Sequence, residues 1–511
     1  MQSVESPTSL DAAFHSTATR QAAATALVFD DVSYSYRALR IASERFAHAL
    51  LAAGIEPGQR VVVGMTNSPE LVVSILGTIA AGAILVPVNP AATADELLYI
   101  IGDCGARLAV VESAHLGVLR DATPTGLTPL DGPNLGRDCF AATLETSADR
   151  RPNAIDPRSP ALIIYTSGTT GRPKGAVLSH EALTTNLLTV AEAWRWTAND
   201  RLLLTLPCFH LHGLGLGILT SLMVGSSIVL RRRFVVDEVL ADLARFECTM
   251  FFGVPTMYSR LVALPDTALR TYRRQRMRLW VSGSAPLNAA LFERFRERFG
   301  YELMDRYGMT ECCFVLSTPY DEPRRPGMVG RPLAGVDVRL VDPDAADSGK
   351  IVDVADGSHG EILIRGSNLF SGYWQRPQET QRVMLDGYLR SGDIAVREAD
   401  GMFRIVGRSS VDIIKSRGFK VGAVEIEEAL QRHPAVEEVA VVGLPDPDQG
   451  ERVVAAVILR RDAQVSTDQL RAHVRTLLAP HKVPADIVFV DDIPRIGPGK
   501  FKKKELIARL S

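Results

Sequence analysis

The segment from Tyr165 to Gly175, YTSGTTGRPKG, contains the residue types that bind a polyphosphate. It follows an apolar run, ALII, and combines three glycines, four Ser and Thr hydroxyls and one lysine. Backbone N–H groups, hydroxyls and an ammonium are donors that hold phosphate oxygens in proteins. The spacing differs from the GxxxxGK(S/T) pattern, so we predict a nucleotide-phosphate loop that is not a Walker A loop. The residues assigned to this loop are Thr166, Ser167, Gly168, Thr169, Thr170 and Lys174.

The sequence around this loop alternates between short strands and helices. Runs such as RVVVGM, AILVPVN and RLAVVE alternate with helical periods such as RALRIASERFAHALLAAG, which is typical of α/β layering. From Val336 the runs DVRLVD, GEILIRG and MFRIVG are separated by turn residues, which predicts a β-rich subdomain at about 336–408. A chain of 511 residues also exceeds what one core supports. We therefore expect an α/β fold with a large domain at 1–408 and a small α+β domain at 409–511.

Two apolar stretches, Leu71 to Val88 and Leu211 to Leu230, approach the length that spans a membrane. A glycine interrupts each of them, Gly82 in the first and Gly225 in the second, where a helix would end and a strand would begin. This pattern is typical of a buried αβ unit. We therefore predict no membrane span.

Net charge, cysteine spacing and the first residues indicate which partners and which cellular compartment to expect. The formal net charge is -2, from 57 basic and 59 acidic residues, so we do not expect a nucleic-acid partner. The six cysteines show no C-x-x-C spacing for zinc or redox chemistry, and they suit a reducing compartment. The start, MQSVESPTSLDAAFHS, lacks the basic and apolar regions of a secretory signal. We expect a cytoplasmic protein.

Four motifs along the chain point to one family. The phosphate loop, the run DRYGMTE, the run SGDIAVREADGMFRIVGR and the terminal PRIGPGK together resemble the adenylate-forming superfamily of acyl-CoA synthetases, carrier-loading adenylation domains and luciferases. The resemblance covers nearly the whole chain. It implies that a carboxylate attacks the α-phosphorus of ATP, that pyrophosphate leaves, and that the acyl group passes from acyl-AMP to coenzyme A. This chemistry needs positioning and neutralisation of charge rather than a protein nucleophile.

The resemblance also implies roles for residues around the phosphates and the ribose. Thr310 would bind the α-phosphate. Glu311 would hold a Mg²⁺ ion, because a carboxylate is a hard oxygen ligand for a hard cation. Asp393 would accept both ribose hydroxyls, and Arg408 would also reach the ribose.

For the adenine base, the resemblance implies a second group of residues. Tyr307 would stack on the ring. Asp305 and the backbone around Ser284 and Ala285 would lie near the edge of the base. Tyr307 alone would be read as a packed core tyrosine, so its role depends on the surrounding motif.

Lys500 in PRIGPGK would bridge the acid's carboxylate and the α-phosphate as negative charge develops. In the family, the C-terminal domain is mobile and rotates about a hinge shortly after the run IVGR, where this chain has Ser410. The rotation would exchange Lys500 for a second loop, KSRGFK, during thioester formation. Gly418 and Lys420 would contact coenzyme A there, and Arg417 replaces a glycine that many relatives carry.

The identity of the acid has two interpretations. The runs LPCFHLHGLGLGI, MFFGVPTMYSRL and RLWVSGSAPL resemble malonyl-CoA and methylmalonyl-CoA synthetases. A second carboxylate would need a buried cation, and we predict Arg233 and Arg278 for this role, with solvated or ATP-facing charges as the alternative. The run CCFVLSTPY after Glu311 predicts an apolar pocket wall. That wall favours the alternative of a larger or aromatic monocarboxylic acid, with His210 as the gate residue.

Other function classes remain open at this point. A carrier protein acting in trans could replace coenzyme A as the acceptor. A binding or regulatory relative without catalysis is a further alternative, but the chain retains Lys174, Thr310, Glu311, Asp393 and Lys500, which argues against it. Luciferase-type oxidation is the remaining alternative.

Overall fold

The computed structural model describes the greater part of the chain. The described residues are 9–122, 127–141, 154–166, 172–270, 276–408, 412–416, 419–446, 450–478, 480–495 and 501–510. Within these ranges the strands assemble into four sheets with helices packed against them, which confirms the predicted α/β class.

The first part of the chain alternates strands with helices that begin at Ser or Thr caps. The hydroxyls of Ser35 and Ser68, for example, accept the N–H groups of Ala38 and Leu71 in the first turn of their helices. In chain order the elements are α1 (Leu10–Arg20), β1 (Thr25–Phe29), β2 (Val32–Ser35), α2 (Tyr36–Ala52), β3 (Arg60–Gly64), α3 (Pro69–Ala80), β4 (Ile84–Pro87), α4 (Ala94–Cys104), β5 (Leu108–Val111), α5 (Ser113–Ala122), β6 (Thr128–Asp131) and α6 (Gly132–Ala141).

The middle part contains most of the buried parallel strands, which are short and rich in Leu, Val, Phe and Ile. Its elements are β7 (Pro160–Thr166), β8 (Lys174–Ser179), α7 (His180–Ala193), β9 (Arg201–Leu204), a π-helix (His212–Thr220), α8 (Ser221–Val224), β10 (Ser227–Leu230), α9 (Val236–Arg245), β11 (Met250–Gly253), α10 (Pro255–Val262), α11 (Asp266–Arg270), β12 (Leu279–Ser282), α12 (Ala289–Phe299), β13 (Met304–Met309), a 3₁₀ turn (Thr310–Cys312) and β14 (Cys313–Ser317).

The last part is dominated by antiparallel strands. Its elements are β15 (Arg331–Pro332), β16 (Val336–Val341), α13 (Pro343–Asp347), β17 (His359–Gly366), β18 (Gly372–Tyr373), α14 (Pro377–Arg382), β19 (Met384–Leu385), β20 (Tyr388–Arg397), β21 (Phe403–Arg408), β22 (Ile413–Ser416), β23 (Phe419–Gly422), α15 (Ala423–Gln431), β24 (Val436–Asp446), β25 (Gly450–Leu459), α16 (Thr467–Leu477), a 3₁₀ turn (Pro480–Lys482), β26 (Asp486–Phe489) and α17 (Lys503–Leu510).

Two of the sheets form the layered α/β part of the fold. One has the strand order β15-β14-β13-β12-β11-β9-β10-β1-β2, with β13 through β1 parallel. The other has the order β18-β8-β7-β4-β3-β5-β6. In an open parallel sheet, ligands bind outside the carboxyl ends of the strands. The loops that follow β9, β12 and β13 therefore mark the edge where a site is expected.

Two further sheets follow, one antiparallel and one mixed, in which β26 pairs parallel to β25. The order β16-β17-β20-β19, with β21 paired to β20, accounts for the predicted β-rich region that starts at Val336. The order β23-β22-β25-β24, with β26 paired to β25, lies after Arg408 together with α15, α16 and α17. A larger N-terminal part and a smaller C-terminal part are thus present, while the boundary at residues 408 and 409 stays a prediction.

The two apolar stretches are buried αβ units, as the sequence predicts. Gly82, with φ 71°, follows α3 and leads into β4, and Gly225, with φ 96°, caps α8 before β10. No helix within the described ranges is long and apolar enough to cross a membrane.

The second apolar stretch differs from the predicted α-helix in one respect, because residues 212–220 form a π-helix. A Cβ on Gly213 would lie 2.4 Å from the carbonyl oxygen of Pro207, so glycine is needed where this wide helix meets the preceding turn. π-Helical segments occur often at functional sites.

Candidate active site

Residues from several elements meet at the carboxyl edge of the large sheet. His212 follows β9 and begins the π-helix, Ser284 follows β12, and Tyr307 lies near the end of β13. The 3₁₀ turn after β13 carries Thr310 and Glu311. β12 and β13 are neighbours in this sheet, whereas the strands of the phosphate-loop motif, β7 and β8, and those of the SGD and VGR runs, β20 and β21, belong to other sheets.

One cluster joins three of the predicted nucleotide residues. The hydroxyl of Tyr307 donates to Oδ2 of Asp393 at 2.6 Å, and Nε of Arg408 pairs with Oδ1 of Asp393 at 2.9 Å. Antiparallel pairing of β20 with β21 sets Asp393 opposite Arg408. Burial, and then the Asp393 carboxylate, raise the pKa of the Tyr307 hydroxyl, while the same carboxylate raises the pKa of Arg408. An aromatic ring, a carboxylate and a guanidinium thus lie together, as a nucleoside site requires.

A second cluster contains Glu311 and Lys174. Glu311 is buried, and its Oε1 accepts the hydroxyl of Tyr373 at 2.8 Å. The Lys174 ammonium lies 4.6 Å from the centre of the Tyr373 ring and 2.9 Å from Oε2 of Glu379. Tyr373 therefore stands between the predicted metal ligand and the predicted phosphate-binding lysine.

The stem of the phosphate loop is a β-hairpin. β7 pairs antiparallel with β8, which sets Thr166 opposite Lys174, and the Thr166 hydroxyl lies 3.4 Å from the Lys174 carbonyl oxygen. Lys420 belongs to β23. Six further residues assigned from the sequence lie outside the described residues: Ser167, Gly168, Thr169, Thr170, Gly418 and Lys500.

The residues predicted near the base edge occupy the ends of β12 and β13. Ser284 has a left-handed backbone, with φ 68°, and is exposed, while Ala285 is half-buried. Left-handed backbone at a residue other than glycine is strained and occurs frequently at functional sites. Asp305 is buried, and burial raises the pKa of its carboxyl to about 7. Its Oδ1 accepts the backbone N–H of Arg306 at 2.9 Å.

Next to these residues lies a buried arginine, Arg306, with unsatisfied hydrogen-bond donors. Arg306 is 6% exposed, and its Nε and Nη2 have no hydrogen-bond partner among the described residues. Its guanidinium lies 4.7 Å from the centre of the Phe314 ring, and burial lowers its pKa to about 10. A Cβ on Gly283 would lie 2.5 Å from Arg306 Nε, so only glycine leaves room for the guanidinium there.

His212 completes this polar group. Its ring is buried against Phe252, Nδ1 lies 3.3 Å from the Ser284 hydroxyl, and Nε2 has no partner within the described part of the chain. Burial, and then the positive charge of Arg306, lower its pKa, so the ring is neutral at pH 7. Leaving two donors of a buried guanidinium unpaired costs free energy unless an anion accepts from them. The arrangement is suited to an acid that brings a second carboxylate.

Arg278, predicted as the buried cation of the acid pocket, has its partners elsewhere in the structure. Its guanidinium makes a bidentate ion pair with Asp200, at 2.6 and 2.7 Å, and donates to the carbonyl oxygen of Trp194 at 3.0 Å. Arg278 also precedes β12, whereas Ser284 follows it. The whole of β12, about 13 Å long, lies between the two positions. Arg278 therefore stabilises the opposite edge of the sheet.

The predictions for Arg233 and His210 have different outcomes. Arg233 is exposed after β10, so it is not the buried cation that we predicted. His210 lies in the turn after β9 with its ring centre 4.3 Å from that of Phe209, and it is exposed. Its role as a gate residue stays a prediction. Cys312, Cys313 and Phe314 are all buried, and their role as an apolar wall of the acid pocket stays a prediction.

Sequence reasoning missed Arg306, although it stands directly before Tyr307 in a motif that was already identified. The signal was available. An arginine inside a short apolar strand is buried unless the strand lies at an edge, and a buried arginine needs an anionic partner.

Comparison with known proteins places these features in a family. The model of the AMP-binding enzyme family matches residues 14–374, and that of the AMP-binding enzyme C-terminal domain matches residues 425–500. Together the two models cover most of the chain.

Individual relatives match over nearly their full length. The chain is 36% identical to the mitochondrial malonate–CoA ligase ACSF3 of Mus musculus, over 88% of this chain and 82% of that protein. It is 34% identical to a feruloyl-CoA synthase of Amycolatopsis, over 95% and 96% of the two chains. The crystal structure of ATP-bound MatB from Rhodopseudomonas palustris superimposes with a TM-score of 0.90 at 34% identity, over 98% and 99% of the two chains.

Proposed function

This chain belongs to the AMP-binding enzyme family and is an AMP-forming acid–CoA ligase that uses ATP and coenzyme A, and on that premise we propose that its acid is a short dicarboxylate, malonate or methylmalonate. The observation that carries this proposal is the buried guanidinium of Arg306, with two unpartnered nitrogens beside His212 and Ser284. The malonate–CoA ligase among its relatives supports the same acid class.

The shape of the acid follows from this arrangement. One carboxylate must reach the α-phosphate, and the other must lie against Arg306 in the buried group formed with His212. Arginine binds a carboxylate through two parallel N–H bonds, and Nε with Nη2 is one of the two edges that can do so. A monocarboxylic acid would leave the guanidinium unpaired in a buried site, which disfavours its binding.

For the nucleotide we propose the following roles. Tyr307 contacts the adenine, and Asp393 binds the ribose hydroxyls with Arg408 beside it, because the three side chains already form one hydrogen-bonded cluster. Thr310 and Lys174 bind phosphate oxygens. The phosphate loop at 167–171 contributes further donors.

Glu311 has the chemistry that Mg²⁺ requires. It is a buried carboxylate in the 3₁₀ turn after β13, and the hydroxyl of Tyr373 donates to it. Carboxylate oxygens are the ligands that Mg²⁺ prefers. Within the described residues, no group of three or more His, Cys, Asp and Glu side chains could hold a metal alone. We therefore propose that Glu311 holds Mg²⁺ together with the phosphates of ATP, where the ion would neutralise their charge.

The catalytic lysine and the coenzyme A contacts are proposed from the motifs. Lys500 would stabilise the charge that develops between the attacking carboxylate and the α-phosphorus. Gly418 and Lys420 would contact the coenzyme A arm after the C-terminal domain, residues 409–511, has rotated. A carrier protein would be an alternative acceptor in the same position. We also propose a cytoplasmic location, because the six cysteines are free and buried, which suits a reducing compartment.

A panel of acids tests the proposal. The protein is given ATP, Mg²⁺ and one acid from malonate, methylmalonate, succinate, propionate, butyrate and ferulate, and AMP release is measured with and without coenzyme A. We expect the highest kcat/KM for malonate or methylmalonate and a coenzyme A-dependent increase in turnover. A preference for butyrate or ferulate would contradict the dicarboxylate assignment.

A further inference from the structure

Glu379 forms an ion pair with Lys174, the lysine proposed above as a phosphate ligand. Its Oε2 is 2.9 Å from the Lys174 ammonium, and both side chains are partly shielded, at 33% and 20% exposure. None of the sequence motifs described above contains Glu379.

The position of this carboxylate is fixed by its surroundings. Glu379 belongs to α14, and the neighbouring Thr380 hydroxyl accepts the backbone N–H of Tyr373 at 2.9 Å. On its other side, Glu379 Oε1 lies 3.8 Å from Nη1 of Arg376, which is itself paired with Asp103 at 2.6 Å. Glu379 is thus held against Lys174 from two directions.

Lys174 has little else to balance its charge. Among the described residues, the other electrostatic contact of its ammonium is with the face of the Tyr373 ring, at 4.6 Å from the ring centre. An ammonium has three donors and one unit of charge. A phosphate that binds Lys174 must therefore share it with the Glu379 carboxylate, and the two anions would then lie within a few ångströms of each other and repel.

We propose that Glu379 is a positioning residue that competes with the phosphates of ATP and of pyrophosphate for Lys174. It weakens the binding of both, and it promotes release of pyrophosphate by taking Lys174 back as the product leaves. This inference rests on the proposed role of Lys174 as a phosphate ligand.

The test compares Glu379→Gln with the wild type, because glutamine keeps the shape and removes the charge. ATP affinity is measured by calorimetry, and inhibition by added pyrophosphate is measured in the acid-dependent reaction. We expect ATP to bind about three- to tenfold more tightly and the inhibition constant for pyrophosphate to fall by a similar factor. The gain should shrink at high salt.

Two further variants keep the result interpretable. Glu379→Asp retains the charge and should stay near the wild type in ATP affinity. Glu293→Gln removes a carboxylate from a surface ion pair with Arg296 on α12 and should change neither constant.

The possible outcomes distinguish competition by Glu379 from the phosphate role of Lys174 on which it rests. If Lys174→Ala leaves ATP affinity unchanged, the phosphate role of Lys174 is wrong. If Lys174→Ala weakens ATP binding while Glu379→Gln leaves it unchanged or weakens it, the phosphate role stands and the competition is refuted.

Discussion

Replacing Arg306 with methionine should convert the protein from a dicarboxylate to a monocarboxylate ligase. Methionine has a similar length and no charge, and it fits a buried position beside Phe314. Because the described residues leave Arg306 Nε and Nη2 without partners, the substitution breaks no hydrogen bond at these two atoms. We therefore expect the fold to tolerate it.

The magnitude follows from burial. Breaking a buried charge pair by removing one partner costs about 3–5 kcal/mol. At about 1.4 kcal/mol per factor of ten, kcat/KM for malonate should fall by about a hundredfold to a few thousandfold. Butyrate has no second carboxylate to pair, so its kcat/KM should stay constant or rise. The ratio of the two constants is thus the informative quantity.

The assay measures AMP release for malonate and for butyrate with the wild type and Arg306→Met, alongside the thermal midpoint of each protein. The informative comparison is whether activity with malonate and activity with butyrate decrease together. Equal decreases for both acids with an unchanged midpoint would refute the assignment of Arg306 to the second carboxylate, and so would full retention of malonate turnover.

Three further predictions use other parts of the molecule. Arg278→Gln should lower the thermal midpoint, because it leaves the buried Asp200 carboxylate without its bidentate partner, and it should keep the malonate-to-butyrate ratio constant; a changed ratio would return Arg278 to the acid pocket. Lys500→Ala should abolish acid-dependent exchange of ATP with labelled pyrophosphate but still convert supplied acyl-AMP to thioester, and undiminished exchange would exclude the proposed role of Lys500. Burial lowers the pKa of His180 to about 4, against about 6.5 in an unfolded chain, so its contribution to folding is present above pH 6.5 and is lost as the pH falls through 4. Denaturant unfolding should therefore show a loss of up to about 3 kcal/mol over that range in the wild type and a smaller one in His180→Leu, and identical pH profiles would contradict it.

The motifs predicted those parts of the site that depend on local chain geometry. An apolar run followed by a glycine-rich segment was sufficient to expect a strand that leads into the phosphate loop, and the family resemblance of the runs SGD and VGR implied that Asp393 and Arg408 both lie near the ribose. The β-rich texture after Val336 was equally local.

The acid pocket could not be assigned in this way, because it depends on which end of a strand each arginine occupies. Arg278 lies directly before one short strand of the large sheet and Arg306 lies within the next one. Arg278 precedes β12 and faces Asp200, whereas Arg306 lies within β13 near the carboxyl edge. Ion pairing across 78 positions of sequence is a property of the folded sheet, and no spacing rule reports it. The Lys174–Glu379 pair joins β8 to α14, which are far apart along the chain, and it was hidden for the same reason.

The central claim is that this site makes an acyl adenylate of a dicarboxylic acid before any thiol takes part. Its most direct test is to mix the protein with ATP, Mg²⁺ and malonate without coenzyme A, to quench the mixture, and to analyse the bound products by mass spectrometry. We expect malonyl-AMP and pyrophosphate, and conversion of the adenylate to malonyl-CoA and AMP when coenzyme A is added. Formation of ADP and phosphate, or of AMP that does not depend on malonate, would contradict it.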